Sequence, residues 1–316
     1  MRILLTAIGK RVQLIKHLKK ENYIIGVDKD ELIPGRYFVN SFFTIPEIGD
    51  MTYISALLTI CEREKIDLLI PLFEKEFLIL DSNREEFENL GTTLLLSNRP
   101  ILEICNDKWN TYNFFKENSI STAKTCLIED VEDKNINMKF PLILKPREGM
   151  GSKGIFFARN KQELSHLSIN LKNYIVQEMV EGTEYTMDVL CDLEGKVLSI
   201  VPRQRLEVRA GEVVKSKSVK DIDLIEKTLD LVDKLNSKND NGAIGPMNIQ
   251  CIVNEKKDMR FIEINPRFGG GVPLTFESGV DYGRVLREMT MGQEIEPMLG
   301  NFKESIMLRF DDAIFI

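Results

Sequence analysis

Residues Pro141-Leu142-Ile143-Leu144-Lys145-Pro146-Arg147-Glu148-Gly149-Met150-Gly151-Ser152-Lys153-Gly154-Ile155-Phe156-Phe157 decide how the chain is read. An apolar run ends at Lys145, and a loop with glycines at 149, 151 and 154 comes after it. That Gly-x-Gly-x-x-Gly spacing occurs in dinucleotide-binding folds, but there it opens a helix. Here Ile155 to Ala158 is β-branched and aromatic, so the segment predicts strand, glycine loop, strand. Such a hairpin can close bare N–H groups over phosphates without a helix dipole. Glycines packed into so short a loop carry a chain-entropy cost that a plain hairpin does not require. Lys145, at the end of the first strand, and Lys153, in the loop, can each meet phosphate oxygens as a point charge. The candidate phosphate-binding set is Lys145, Gly149, Gly151, Ser152, Lys153 and Gly154.

Two further stretches lie downstream. Tyr174 to Val189 reads as a strand, a short link and a strand that alternates from Tyr185. Gln177, Glu178, Met179 and Val180 could present backbone groups and apolar faces to a flat polar ring, with Glu184 accepting from ribose hydroxyls; an ordinary hairpin is the bland alternative. Gly245 to Val253 and Met259 to Arg267 flank the polar turn Asn254 to Asp258. Pairing Asn254 with Met259 sets Gln250 opposite Glu263, and the two-residue strand period puts Glu263, Asn265 and Arg267 on one face. Polar groups on a buried face are costly unless paired, so the bland alternative, an exposed edge hairpin, requires the whole face to be wet. Oxygen ligands with one carboxylate suit Mg²⁺ completed by substrate phosphates. Arg267 would neutralise phosphate, and the Phe268-Gly269-Gly270-Gly271 loop leaves N–H groups for an anion.

Upstream, residues 1 to about 103 alternate apolar runs (Arg2–Thr6, Tyr23–Val27, Asp67–Pro71, Thr93–Leu96) with amphipathic stretches near 11–20, 51–64 and 76–88. That order predicts a parallel, Rossmann-like sheet. The turn Ala7-Ile8-Gly9-Lys10-Arg11 lacks the dinucleotide glycines, although Asp28 mimics the ribose-binding acid of such folds. Ligands in open α/β sheets sit beyond carboxyl strand ends, so these ends are expected to line a crevice with the second domain. Glu74 and Glu76 occupy that position, for substrate contact or as a solvated loop. Asp107 is expected to open a helix over 107–118 with an aromatic face of Trp109, Tyr112 and Phe115. The domain boundary falls near 103–106. Arg203, Arg205, Arg209, Lys215 and Lys217 read as a loop carrying positive charge to a substrate, with Arg203 and Lys217 as its candidates, or as a solvated face.

Composition bounds the function. The 316 residues correspond to about two domains. With 43% apolar and 29% charged residues, neither disorder nor a fibrous repeat is indicated. A net charge of −7 argues against a nucleic-acid-binding face. Only two histidines, His17 and His166, argue against a His-rich metal site or a Ser-His-Asp triad. Five scattered cysteines, without a Cys-x-x-Cys pair, read as buried thiols in a reducing compartment. No apolar run is long enough to span a membrane, and the start does not read as a signal peptide, so the expectation is a cytoplasmic protein.

Jointly, Lys145 with the 149–154 loop, the Gln177–Glu184 link, and Gln250 with Glu263-Ile264-Asn265-Pro266-Arg267 resemble the ATP-grasp enzymes, closest to their carbamoyl-phosphate-synthetase-like branch. The resemblance implies an α/β Rossmann-like pre-ATP-grasp domain (1–103) and an α+β ATP-grasp domain of two subdomains (104–316). The latter would comprise a lid hairpin region at about 120–180 and a metal-site subdomain at about 181–316. ATP and Mg²⁺, with Mn²⁺ as an alternative ion, are the implied cofactors. Lys108 and Lys145 would contact phosphates, Gln177 to Val180 would hold adenine, and Glu184 the ribose. Gln250, Glu263 and Asn265 would bind metal, and Arg267 would meet the γ-phosphate; Lys145 and Arg267 are the catalytic candidates. Weaker candidates for the substrate are Arg203, Lys217, Gly269 and Gly270.

The implied reaction activates a carboxylate as an acylphosphate for attack by an amine, releasing ADP and phosphate. Carboxyphosphate chemistry on bicarbonate and a non-catalytic nucleotide sensor are the alternatives. Partners would be small-molecule acid and amine substrates, with no nucleic acid or membrane, and a homodimer is compatible with the resemblance.

Overall fold

The computed structural model describes residues 1–131, 137–149, 151 and 153–316. Its first part is a parallel sheet of β1 (Arg2–Leu5), β2 (Tyr23–Asp28), β3 (Ser41–Thr44), β4 (Leu68–Ile70) and β5 (Thr93–Leu94), in the order β3-β2-β1-β4-β5. Helices α1 (Val12–Leu18), α2 (Tyr53–Glu64), α3 (Phe77–Ser82) and α4 (Arg84–Asn89) connect the strands. The central strands are continuous apolar runs, as burial on both faces demands; Ile3, Leu4, Leu5, Ile24 and Ile25 are inaccessible to solvent.

Two details differ from the sequence expectation. The helix expected over 76–88 is broken at Asn83, whose Nδ2 donates to the Ile79 carbonyl at 2.7 Å and so closes the preceding turn. Strand β3 is an additional element: it is half-exposed at the sheet edge, so its residues carry no clear alternation to announce it.

Helices α5 (Arg99–Asn106) and α6 (Lys108–Glu117) come next, and Asp107 accepts the Trp109 N–H at 2.8 Å as the N-cap of α6. Phe115 faces the core, while Trp109 and Tyr112 stack on each other half-buried. A four-stranded antiparallel sheet holds β6 (Thr125–Leu127), β7 (Leu142–Pro146), β8 (Phe156–Ala158) and, after α7 (Lys161–Asn170), β9 (Tyr174–Glu178), in the order β6-β9-β7-β8.

The remaining strands are β10 (Thr183–Cys191), β11 (Val197–Arg209), β12 (Glu212–Ser218), β13 (Gly245–Val253), β14 (Met259–Asn265) and β15 (Ile306–Leu308). They form a six-stranded antiparallel sheet ordered β14-β13-β10-β11-β12-β15. Helices α8 (Ile222–Ser237), α9 (Pro273–Glu277) and α10 (Tyr282–Thr290) complete the chain. Helix α8 buries Leu224, Ile225, Thr228, Leu231, Val232 and Leu235 at helical spacing, and each large aliphatic contributes about 1.5–3 kcal/mol when fully buried.

Strands β9 and β10 belong to different sheets, so the hairpin alternative for Tyr174–Val189 is set aside. The basic segment 200–218 is not a loop but the paired strands β11 and β12. It lacks an apolar period because its outer part is solvated on both faces. None of the five cysteines is in a disulfide. No described helix is long and apolar enough to cross a membrane.

Candidate active site

The glycine hairpin is clamped at its base to the start of α6. Arg147 makes a two-pronged ion pair with Asp107, the same carboxylate that caps the helix, and the Lys108 N–H donates to the Arg147 carbonyl at 2.9 Å. Lys108 Nζ then donates to the Gly149 carbonyl at 3.0 Å and lies 4.0 Å from a Glu263 oxygen. Gly149 and Gly151 have φ of 128° and 67° with open space where a side chain would stand, so backbone conformation selects glycine there. Lys153 is exposed, and Ser152 lies outside the described residues. Gly154, at φ 72°, also packs against Tyr174 and Pro146.

Lys145 points from β7 into the crevice between the four- and six-stranded sheets. Its Nζ donates to Gln177 Oε1 at 2.9 Å, and Gln177 Nε2 donates to Thr125 Oγ1 at 2.9 Å. The buried Gln177 side chain thus orients the lysine, a role its place in the sequence does not suggest. Burial holds the Lys145 ammonium below its usual pKa; Glu263 opposes that and Lys108 adds to it. A hollow of about 20 Å³ lies among Lys108, Lys145, Tyr112, Gln177, Ile262 and Glu263.

Of the expected ring-binding link, Met179 is exposed and Val180 half-buried. Glu178 is occupied, accepting the Lys139 N–H at 3.0 Å. Glu184 sits at the start of β10 with its carboxylate 3.1 Å from Arg205 Nε.

Across the crevice, β13 and β14 pair with Gln250 opposite Glu263 and Asn248 opposite Asn265, with a bulge after Gln250. Glu263 is partly exposed to the crevice, while Asn265 lines an adjoining hollow with Glu74, Cys105 and Asn106. No trio of His, Cys, Asp and Glu capable of holding a metal occurs among the described residues. The oxygens available are one carboxylate and two amides, a donor set that suits a hard divalent ion whose coordination is completed by phosphates.

At the end of β14, Arg267 reaches back to the N-terminal sheet. Its Nε and Nη2 both lie 2.6 Å from Glu74 Oε1, and its Nη1 donates to the Phe268 carbonyl at 3.1 Å. Glu74, in the loop after β4, is therefore an anchor for Arg267 rather than a solvated side chain. Glu76 is wholly buried, accepts from Thr6 Oγ1 at 2.7 Å and Tyr53 Oη at 2.5 Å, and has its pKa raised by burial. Asp28 takes the Gly9 N–H at 3.0 Å and braces the turn after β1. The strand ends of the first sheet do face the second domain, with carboxylates spent on bracing.

A sequence model of the ATP-grasp domain matches residues 105–271, and one of the PylC-like N-terminal domain matches residues 3–95. The chain belongs to the ATP-grasp family. An uncharacterised protein of Mycoplasma genitalium is 26% identical over 195 residues, which cover 60% of this chain and 64% of that one. The carbamoyl phosphate synthase large chain of Methanosarcina barkeri is 24% identical over 317 residues, which cover 87% of this chain but 28% of that one. This ATP-grasp chain thus spans less than two thirds of either relative. Among solved structures, N5-carboxyaminoimidazole synthetase from Staphylococcus aureus complexed with ADP superposes with a TM-score of 0.76 at 15% identity, covering 98% of this chain and 82% of that one. That likeness shows the shared fold.

The ATP-grasp chain departs from the sequence expectation at Arg203. This residue is buried, and its Nε and Nη2 donate to the Asp188 carboxylate at 2.6 and 2.9 Å. Asn248 Nδ2 and Thr275 Oγ1 donate to the same carboxylate at 3.0 and 2.5 Å. With no exposure, Arg203 holds β10, β11, β13 and α9 together and does not reach a substrate, although its Nη1 has no hydrogen-bond partner. Lys217 lies on β12 between Gln204 and Ile306, and no hydrogen bond or ion pair joins it to the Lys145–Glu263 cluster.

The glycines of the 268–271 loop divide accordingly. A Cβ on Gly269 would meet Asn248 Nδ2 at 2.3 Å, and one on Gly271 would meet Arg203 Nη1 at 2.2 Å, so both are small to seat the loop on the buried network. Gly270 alone has room, with Arg11 Nη1 the nearest atom at 3.9 Å. Arg11 is a neighbour of this loop that the sequence does not single out; its only signal is a basic side chain in the turn after β1.

Proposed function

We propose that this chain is an ATP-dependent ligase that activates a carboxylate as an acylphosphate and passes the acyl group to an amine. The observation that carries the reading is the convergence of Lys108 and Lys145 on Glu263 beneath a clamped glycine hairpin, with Arg267 held at the end of the strand that carries Glu263. Two ammonium groups beside one carboxylate, with a guanidinium just past the end of the same strand, suit a triphosphate, whose transfer chemistry asks for charge neutralisation and positioning rather than a covalent nucleophile.

Gln250, Glu263 and Asn265 would hold Mg²⁺, which would supply charge neutralisation at the phosphates. Lys145, aligned by Gln177, and Lys108 would bind phosphate oxygens, while the hairpin backbone would cover them and exclude water. The acid's oxygen attacks the γ-phosphorus and the bond to ADP breaks. The amine nitrogen then attacks the acyl carbon, phosphate leaves, and the nitrogen loses a proton. Arg267, released from or shared with Glu74, would face the transferring phosphoryl group.

Bicarbonate as the acid is the second reading, favoured by the similarity to the carbamoyl phosphate synthase large chain. The test is ADP release with MgATP across carboxylic acids, amino acids and bicarbonate, singly and paired with amines, with products identified by mass spectrometry. Release that needs an acid and an amine and yields their amide supports the ligase. Stimulation by bicarbonate alone supports the second reading, and tight ATP binding without stimulation by any pair overturns both.

A further inference from the structure

Arg11 caps α1 from the turn Ala7–Arg11, and that turn is rigid. The Gly9 N–H is held by Asp28, the Gly9 carbonyl accepts from the Gly35 N–H at 2.9 Å, and the Arg11 N–H donates to the Ile8 carbonyl at 2.8 Å. The side chain lies beside Gly270, with Nη1 3.9 Å from where a Cβ on Gly270 would stand. Two other guanidiniums stand nearby, and each has a carboxylate: Arg267 has Glu74, and Arg309 has Glu212 at 3.2 Å. The Arg11 side chain has no hydrogen bond or ion pair to any described residue, although it is partly buried. Burial pushes its pKa down to about 10, with the charges of Arg267 and Arg309 adding to that and Glu212 and Glu74 opposing it. Three arginines thus share two carboxylates, and the odd one is the one that a pre-organised turn aims at the glycine with open space above it. An unpaired, partly desolvated guanidinium costs stability, and such costs persist where a ligand completes the site.

We infer that Arg11 is a specificity-determining residue that binds a carboxylate of a substrate other than the nucleotide, next to Arg267. A planar fork of N–H donors matches a carboxylate in two-pronged fashion, which a lysine does not. This rests on the ligase reading and deepens it. One domain supplies the phosphate and metal groups, and the other supplies the group that selects the carbon skeleton. It also moves the substrate role from Arg203, which is buried against Asp188, to an arginine with no carboxylate partner among the described residues.

The experiment uses the whole chain saturated with MgADP and tracks thermal unfolding as succinate is added, against NaCl at equal ionic strength. Succinate raises the melting temperature of the wild type by about 3 °C at saturation. Arg11→Met binds MgADP as the wild type does and shows no succinate shift, and Arg11→Lys shows a partial one. Equal shifts in the wild type and Arg11→Met, no shift in either, or protection by inorganic phosphate in place of succinate overturns the proposal. In turnover, any carboxylate substrate shows a KM raised about 30-fold or more in Arg11→Met with the KM for ATP unchanged, and the carboxamide analogue, poor in the wild type, is not further impaired. If no acid and amine pair releases ADP, the ligase reading fails while the Arg11-dependent succinate shift still stands.

Discussion

Two arginine–carboxylate pairs contact the Phe268–Gly271 loop, and they serve different ends. Arg203 and Asp188 are sealed from solvent, with the carboxylate accepting from four donors on three side chains. Arg267 and Glu74 are partly exposed, joined across two domains and 193 residues of sequence. The sealed pair has no exposure, so it positions backbone even though Arg203 Nη1 has no hydrogen-bond partner. In the crevice pair all three Arg267 nitrogens are engaged, but the pair is partly exposed and has in Arg11 a neighbour with no partner among the described residues, so a ligand can reach it. Residue type is the same in both pairs, and access to solvent separates structure from chemistry.

The sharpest test of the crevice side is Glu263→Gln, which should lower ADP release by about a thousandfold or more while circular dichroism and thermal unfolding stay near wild type. An active variant would remove Glu263 from the metal site. On the sealed side, Asp188→Ala leaves a buried guanidinium unpaired and should cost about 3–5 kcal/mol in urea unfolding. Glu74→Gln should instead leave stability nearly unchanged and reduce turnover about 10- to 100-fold by loosening Arg267. Equal stability losses in these two variants would erase the distinction between the pairs.

The loop between them gives a smaller contrast. Gly271→Ala should destabilise by about 1–3 kcal/mol through the clash with Arg203, whereas Gly270→Ala, with open space, should unfold like the wild type. Smallest is a pH effect at the contact of α1 with α9 and α10. His17 stacks on Phe276 at 3.9 Å and accepts the Tyr282 N–H at 3.2 Å, a bond that requires the neutral ring. Burial lowers its pKa, with Asp281 opposing, Lys20 adding and Glu277 opposing. As pH falls through about 6.5 the unfolded chain protonates first. Stability present above that pH should therefore decline in the window down to the depressed folded value and level off below it. His17→Gln should flatten that slope in urea titrations at pH 5 and pH 7.

Much of the local chemistry is legible from spacing alone. The expected pairing of Asn254 with Met259 across a four-residue turn is off by one, because Val253 pairs with Met259, and Gln250 faces Glu263 only through the bulge between Gln250 and Cys251. The glycine hairpin is legible because the residues after Gly154 are β-branched and aromatic, which favours a strand over a helix. Arg203 is not legible, because a basic side chain on an alternating strand looks the same whether its partner is water or Asp188, and Asp188 lies on another strand. Glu74 is ambiguous for the same reason, its partner being far away in sequence.

The sequence by itself determined the family, the hairpin and the oxygen-rich face of β14, since each depends on interactions within a few residues or across one turn, whereas the bulge that sets Gln250 opposite Glu263 came only with the structure. Only the tertiary structure decided which charges are satisfied. Pairing between Arg267 and Glu74, burial of Arg203 against Asp188, and the solitude of Arg11 are set by elements far apart in sequence, and desolvation there gives each pairing its weight.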